Sequence, residues 1–279
     1  MSILLDSAWL KENLDDSNFV VLDIRSPREY NSAHIPNSRL VPYDKILSFT
    51  DSTSYFDLAS KEQIEELLSI LGINNESTLV ICGDRGGATA ARLFWSLAYY
   101  GLSVQFLDIS FSKWMSLGYP VTDKVETIEN SNFVINQSQL DFKVDHEYVL
   151  SKINDSSSIL VDTRSPEEFN GVIAAGPKSG RIPNSKNFPW EAAVGDDGYI
   201  FKNIEHMNSL FEESGITKDK EIICYCQVGE RASHTFVALQ ICGYNNVKIY
   251  DRSFADWSTR DNLPAVSYTH LTLPTNREV

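Results

Sequence analysis

The chain repeats one sequence frame at a spacing of about 140 residues. An Asp-x-Arg-Ser-Pro-x-Glu motif ending in an aromatic residue occurs at Asp23–Tyr30 and again at Asp162–Phe169. An Ile-Pro-Asn-Ser turn follows it in both places, at Ile35–Ser38 and Ile182–Ser185. Solenoid repeats recur every 20–50 residues, so a period this long indicates two copies of a whole domain.

Each copy alternates apolar runs of strand length with segments of helical periodicity. Ser7 is expected to cap the first helix. This alternation predicts an α/β fold of two tandem domains, each a mostly parallel sheet flanked by helices on both faces. The predicted strands are Phe19–Ile24, Thr78–Cys82, Ser103–Leu107, Glu221–Tyr225 and Val247–Tyr250, and the predicted helices are Ala8–Leu14, Lys61–Leu71, Ala88–Tyr100 and Ala232–Cys242.

Composition along the chain indicates the domain limits. We predict a first domain over residues 1–123, a polar linker over 124–140 and a second domain over 141–265. The second copy carries a glycine-rich insertion, Gly171 to Gly180, which is expected to be a loop. Residues 266–279 lack apolar periodicity and can be read as the translation of a transposon-end sequencing adaptor, so we interpret them as read-through; a genuine short tail is the alternative.

Charge and cysteine content restrict the class of protein. The chain has 38 acidic and 24 basic residues, so its net charge of −14 disfavours nucleic acid and anionic membranes, and any anion must be captured by a local site. It has no apolar run of about 18 residues for a membrane span, and the first residues are not expected to form a secretory signal. Four cysteines do not make a disulfide framework, and they fit a reducing cytoplasm.

The candidate nucleophile is Cys226, which follows a predicted strand and precedes a predicted helix. A helix N-terminus and several backbone N–H groups aimed at one sulfur favour the thiolate. Gly229 allows the sharp turn that gathers those N–H groups into an anion-binding nest, and Arg231 can bind an anionic oxygen. The other residues predicted to bind substrate are Gln227, Val228, Glu230 and Ala232.

The first copy of this loop lacks the nucleophile. Gly83 stands three residues before Gly86, as Cys226 stands three residues before Gly229. Cys82 falls one position earlier, so it is expected to end a strand and face the interior. We therefore predict that the first domain is inactive and serves as a docking partner for the second.

These motifs, in this order in both halves, resemble the tandem-domain rhodaneses, a family of thiosulfate and 3-mercaptopyruvate sulfurtransferases. The resemblance implies that Cys226 takes the outer sulfur of a small-molecule donor, becomes a persulfide, and passes the sulfur to a thiophilic acceptor such as cyanide. It implies no metal, no organic cofactor and no histidine base. A protein thiol is an alternative acceptor.

Loop length and charge separate the rival activities. Four residues lie between Cys226 and Arg231, whereas the related cysteine-dependent phosphatases use five to cradle a phosphate. The cationic loop and the acidic Glu168 favour thiosulfate over mercaptopyruvate, although Glu230 partly offsets the charge of Arg231. A sulfur carrier with little turnover on small molecules is the alternative from another class.

The remaining candidates have mainly structural interpretations. Cys224 and Cys242 are expected in the core, although Cys224 could instead be a resolving thiol, and His234 is expected to be structural. Arg25 and Arg164 are expected to pair with Glu29 or Glu168. Two residues are predicted to extend the cleft, Trp190 as a wall and Arg181 as an added positive charge.

Overall fold

The computed structural model describes residues 2–16, 18–49, 55–136 and 140–267. Within these residues each half forms a five-stranded parallel sheet, and a two-stranded antiparallel hairpin accompanies the first. The predicted α/β fold class is confirmed.

The first half contains β1 to β7 and α1 to α5, and its sheet has the order β1-β7-β6-β2-β3. Because β2 and β6 are central and parallel, their carboxyl ends meet at the same edge of the sheet. The elements are β1 (Leu4–Leu5), α1 (Ser7–Glu12), β2 (Phe19–Asp23), α2 (Pro27–Ser32), β3 (Arg39–Leu40), β4 (Leu47–Phe49), β5 (Phe56–Leu58), α3 (Lys61–Ile70), β6 (Thr78–Cys82), α4 (Ala88–Tyr99), β7 (Val104–Leu107) and α5 (Phe111–Ser116).

The second half repeats this topology, with the order β8-β12-β11-β9-β10. Among the described residues of the second half, no pair of strands corresponds to the hairpin β4–β5. The elements are β8 (Lys143–Val144), α6 (His146–Lys152), β9 (Ser158–Asp162), α7 (Pro166–Asn170), β10 (Lys186–Asn187), α8 (Ile204–Glu213), β11 (Glu221–Tyr225), α9 (Glu230–Ile241), β12 (Val247–Tyr250) and α10 (Ser253–Thr259).

The duplicated Arg-Ser-Pro-x-Glu segment is a helix-start signal. Ser26 and Ser165 cap α2 and α7, and in each case the glutamate three residues later bonds back to the serine backbone. Proline occupies the first turn, where its missing N–H costs nothing. The motif therefore begins a helix directly after β2 and β9, the strands next to the central strand of each sheet.

Two predicted helix starts were wrong by one or two residues. Asp6, rather than Ser7, caps α1, because its carboxylate accepts the N–H of Trp9 at 2.7 Å. Helix α9 begins at Glu230 instead of Ala232, because Gly229 takes the cap position with a left-handed φ of 88°.

The two domains pack through α4 and α9, and one apolar cluster runs through both halves. Trp95 on α4 and Phe236 on α9 are both buried in it. Polar contacts cross the same interface, including the N–H of Leu58, which donates to Asp251 at 3.0 Å. The first domain therefore lies directly against the loops at the carboxyl edge of the second sheet.

The predicted linker follows the surface of the first domain. Phe133 and Ile135 are buried, and the N–H of Ile135 donates to Glu65 on α3 at 2.7 Å. Residues 137–139 of the predicted linker lie outside the described residues. The segment that is described thus packs against one domain.

The segment interpreted as adaptor read-through is described only at its start. Val266 pairs with Arg181 in an antiparallel bridge, as Thr122 pairs with His34 in the first half. Residues 268–279 lie outside the described residues, so the read-through interpretation stays a prediction. Among the helices that the structure describes, none combines the length and apolar character that crossing a membrane requires.

Candidate active site

Cys226 lies at the carboxyl end of β11, and its side chain has 0% exposure. Its N–H donates to the Ser253 hydroxyl at 3.1 Å, and its carbonyl accepts the N–H of Phe254 at 3.0 Å. The N–H of Gly229 donates to the sulfur at 3.1 Å. Backbone and hydroxyl contacts therefore hold this residue from both sides, with the sulfur at the start of α9.

Glycine is required at position 229 by conformation and by space. A β-carbon there would lie 2.7 Å from the Asp251 carbonyl oxygen and 2.8 Å from Arg92 Nη1. The left-handed φ, which is costly for other residues, turns the chain so that α9 starts immediately after it. The positive end of a twelve-residue helix consequently faces the Cys226 sulfur, which favours an anionic sulfur there.

Arg231 lies between the Cys226 sulfur and the Glu168 carboxylate. Its Nη1 and Nη2 donate to Glu168 Oε2 and Oε1 at 2.6 and 3.0 Å. Burial lowers the pKa of Arg231, but Glu168 and the Cys226 sulfur raise it by more. Burial likewise raises the pKa of Glu168, and Arg231 lowers it below its usual value. Both groups are therefore charged at neutral pH.

The arginines of the duplicated motif do not have the partners we expected. Arg25 pairs with Asp23 and Arg164 with Asp162, each at 2.6 Å, instead of with Glu29 or Glu168. Each aspartate also accepts the N–H of the arginine two residues later, so the arginine folds back over its own turn. This leaves Glu168 available to bind Arg231.

Glu230 faces the first domain. Its Oε2 accepts the Tyr43 hydroxyl at 3.0 Å, and its Oε1 accepts the Thr89 hydroxyl at 2.9 Å. Consecutive helix residues point in different directions, so Glu230 is directed at the first domain. The carboxylate that pairs with Arg231 is Glu168.

The glycine-rich insertion reaches the catalytic loop. The Gln227 side-chain amide donates to the Ala175 carbonyl at 3.3 Å, and Lys178 Nζ anchors the insertion on the Leu263 carbonyl at 2.7 Å. Val228 is half-buried and Ala232 is buried. The insertion, which the first copy lacks, therefore lies beside the loop that carries Cys226.

Trp190 and Arg181, which are predicted to extend the cleft, make their described contacts elsewhere. The Trp190 ring lies edge-on to the His234 ring at 5.0 Å and touches Gly86 of the first domain's loop. Arg181 lies over the Phe169 ring at 4.4 Å. Among the described contacts neither side chain meets the sulfur, so Trp190 belongs to the domain interface and Arg181 packs on α7.

A family model described as the rhodanese-like domain matches this chain twice, over residues 6–117 and 145–260. The chain belongs to the rhodanese-like family. Its relatives are named as a sulfur carrier or as thiosulfate sulfurtransferases. The sulfur carrier protein TtuD of Thermus thermophilus is 33% identical, over 94% of this chain and 95% of that protein. A Haloferax volcanii protein provisionally named a thiosulfate sulfurtransferase is 31% identical, over 94% and 95%.

Among solved structures, the 3-mercaptopyruvate sulfotransferase SseA of Escherichia coli has the same fold. It superposes with a TM-score of 0.80 at 22% identity, over 91% of this chain and 99% of that one. The tandem arrangement of rhodanese domains is therefore shared over nearly the whole chain.

The two loops are in the register that the sequence indicates. The carbonyl of Gly83 accepts the N–H of Phe111 at 3.0 Å, as that of Cys226 accepts the N–H of Phe254 at 3.0 Å. Gly83 therefore occupies the position that Cys226 has in the second half, while Cys82 ends β6 in the core.

The other cysteines of this rhodanese are core thiols. Burial raises the pKa of Cys82 and of Cys224, and it raises that of Cys242 to about 11. A resolving thiol must ionise, so these environments favour the structural interpretation of Cys224. The described residues contain no cluster of three His, Cys, Asp or Glu side chains that could hold a metal ion.

His234 is structural, as expected. It is fully buried against the Phe201 ring at 4.6 Å, and burial lowers its pKa to about 3. The ring is therefore neutral across the physiological range.

Sequence reasoning missed the support beneath the loop, which consists of Ser253, Asp251 and Arg92. A signal was present, since Asp-x-Ser-Phe-x-x-Trp recurs at Asp108–Trp114 and Asp251–Trp257. The repeat derived from the sequence included only the Phe and Trp of this motif, although its serine is the residue that accepts the Cys226 N–H.

Proposed function

We propose that this rhodanese moves a sulfane sulfur from thiosulfate to a thiophilic acceptor through a persulfide on Cys226. The observation that carries the proposal is the Cys226 sulfur itself, which receives the Gly229 N–H at 3.1 Å at the start of α9. Such donors stabilise an anionic sulfur, whether it is the attacking thiolate or the terminal atom of a persulfide.

The transfer consists of two displacements at sulfur. The Cys226 thiolate attacks the outer sulfur of thiosulfate, a new S–S bond forms, and sulfite leaves with the electron pair of the broken bond. The acceptor, cyanide or a thiolate, then attacks the terminal sulfur and leaves as thiocyanate or a new persulfide. The Cys226 thiolate is regenerated, so electrons balance without an external oxidant.

Arg231 has the role of binding the anionic end of the donor. Its guanidinium is held beside the sulfur and can donate to sulfonate oxygens. Because Glu168 already occupies two of its donors, the donor anion must share Arg231 or displace that carboxylate. This arrangement limits how strongly a small dianion is attracted.

A second candidate, a sulfur carrier that exchanges sulfur with protein thiols, is favoured by the same pairing. A partially neutralised Arg231 suits a thiol donor or acceptor better than a dianion. The Thermus thermophilus relative carries the name sulfur carrier protein. Mercaptopyruvate is a third donor, and its carboxylate would also have to compete with Glu168.

The test compares wild type, Cys226→Ser and Cys82→Ser in steady-state assays with thiosulfate or mercaptopyruvate as donor and cyanide as acceptor. We expect turnover with thiosulfate in wild type and Cys82→Ser, and none in Cys226→Ser. Mass spectrometry after donor alone should show one added sulfur on the Cys226 peptide and none on the Cys82 peptide. Sulfur uptake at Cys226 without turnover would favour the carrier.

A further inference from the structure

Arg92 connects the first domain to the catalytic loop of the second. It lies on α4 with 0% exposure, and its Nη1 donates to Asp251 Oδ1 at 2.5 Å. Asp251 directly follows β12, two residues before the serine that accepts the Cys226 N–H. The ion pair therefore joins a domain without a nucleophile to the base of the active site.

The Arg92 guanidinium also lies against the loop itself. A β-carbon on Gly229 would be 2.8 Å from Nη1, and the Gly229 N–H is the donor to the Cys226 sulfur. Nε and Nη2 are buried and have no hydrogen-bond partner among the described residues. The guanidinium lies over the Trp95 ring at 4.7 Å, and its anionic partner among the described residues is Asp251.

Electrostatic coupling agrees with this placement. Burial lowers the pKa of Arg92, but Asp251 raises it by more, and the phenol of Tyr43 and the Cys226 sulfur add to the rise. The other ionisable groups around the loop are Arg231 on α9 with its partner Glu168, Glu230 at the start of α9, and Asp251 with Lys143 Nζ at 3.5 Å.

We propose that Arg92 is a positioning residue for sulfur transfer, which fixes the loop through Gly229 and places a positive charge behind the Cys226 sulfur. The inference rests on the proposed role of Cys226 as the sulfur-bearing nucleophile. It assigns the first domain an electrostatic part in the reaction, beyond serving as a docking partner.

Two substitutions separate an electrostatic role from a structural one. Arg92→Gln and Asp251→Asn break the same ion pair, so a structural role predicts that both change the reactivity of Cys226 in the same direction. An electrostatic role predicts opposite directions, because one variant removes the cation and the other removes the anion. We expect each variant to shift the pH midpoint of Cys226 alkylation by about one unit.

The experiment measures the rate of Cys226 alkylation by iodoacetamide against pH in the full chain, with the modified peptide identified by mass spectrometry. The midpoint should rise in Arg92→Gln, fall in Asp251→Asn and return towards wild type in Arg92→Lys. Arg25→Gln, which breaks a buried ion pair of the same domain away from the loop, should leave it unchanged.

Shifts in the same direction, or an unchanged midpoint in Asp251→Asn, would overturn the proposal. If Arg92→Gln fails to fold, the comparison of Asp251→Asn with Arg92→Lys still decides it. Alkylation does not depend on thiosulfate turnover. A missing persulfide would therefore reject the proposed function, whereas a persulfide on Cys226 together with midpoint shifts in the same direction would reject the role of Arg92 alone.

Discussion

Glu168 and Arg231 form a two-pronged ion pair with N–O distances of 2.6 and 3.0 Å. Glu168 Oε2 also accepts the backbone N–H of Ser165 at 3.1 Å in the cap of α7. One carboxylate therefore fixes both the start of a helix and the guanidinium beside the Cys226 sulfur. Arg231 is held in place, and its charge is shared before any donor binds.

We expect Glu168→Gln to lower the KM for thiosulfate about fivefold, because a partly buried ion pair with a net worth of roughly 1 kcal/mol no longer competes with the donor dianion. The effect should shrink as salt is added. Steady-state kinetics at two ionic strengths measures both effects. Glu167→Gln is the control, since Glu167 lies exposed on the same helix. An unchanged or higher KM in Glu168→Gln would contradict the competition.

Gly229→Ala should reduce the free energy of unfolding by about 2–4 kcal/mol and abolish most turnover, because the new β-carbon meets Asp251 and Arg92 in addition to the unfavourable φ. Gly243→Ala measures the effect of the left-handed φ alone, since its φ is 80° and nothing lies within 4 Å of the added β-carbon. This substitution should reduce the free energy of unfolding by about 1 kcal/mol. Urea unfolding of both variants gives the comparison, and equal losses would show that the contact is unimportant.

His234 should make the protein less stable in mild acid. Burial lowers its pKa from 6.5 to about 3, so the unfolded chain takes up the proton first as pH falls. The free energy of unfolding is therefore unaffected by the protonation of His234 above pH 6.5. It decreases as pH falls from 6.5 towards 3, with about 2 kcal/mol lost by pH 5.

Urea unfolding at pH 7 and pH 5 measures this loss. The free energy of unfolding lost between pH 7 and pH 5 should be about 2 kcal/mol smaller in His234→Gln than in wild type. His206→Gln, at an exposed histidine on α8, should keep the full difference. An unaltered difference in His234→Gln would mean that other groups cause the acid sensitivity.

The four cysteines should differ in reactivity in the native protein. At pH 8 a thiol such as Cys242, with its pKa raised to about 11, has about a hundredfold less thiolate than an ordinary one. Peptide mapping after brief iodoacetamide treatment should find Cys226 modified, and Cys82, Cys224 and Cys242 modified only after unfolding. Early modification of Cys82 would place it outside the core and reverse the assignment of the two loops.

Local signals predicted most of the fold and the position of the candidate nucleophile. The strands Thr78–Cys82, Glu221–Tyr225 and Val247–Tyr250 have the predicted limits, because short apolar runs are bounded by polar or turn residues on both sides. The position of Cys226 follows from its spacing to Gly229. These features depend on residues close together in the chain.

The ion pairs could not be derived this way. Glu168 has Arg164 four residues before it and Arg231 sixty-three residues after it, and only the fold determines that it binds the distant one. Arg92 was read simply as part of a helix, although a single arginine within the apolar run of α4 indicates a buried partner. That partner, Asp251, is 159 residues away.

The first half, which has Gly83 in place of a cysteine, supplies contacts that the second half needs. A second half cut free at residues 124–140 would keep Cys226 but lose the partners of Glu230 and Asp251, leaving a buried carboxylate without its arginine. The copy without a cysteine at position 83 supplies part of the scaffold of the other. The two halves are no longer interchangeable modules, and any replacement for the first half would have to bring its own arginine to Asp251.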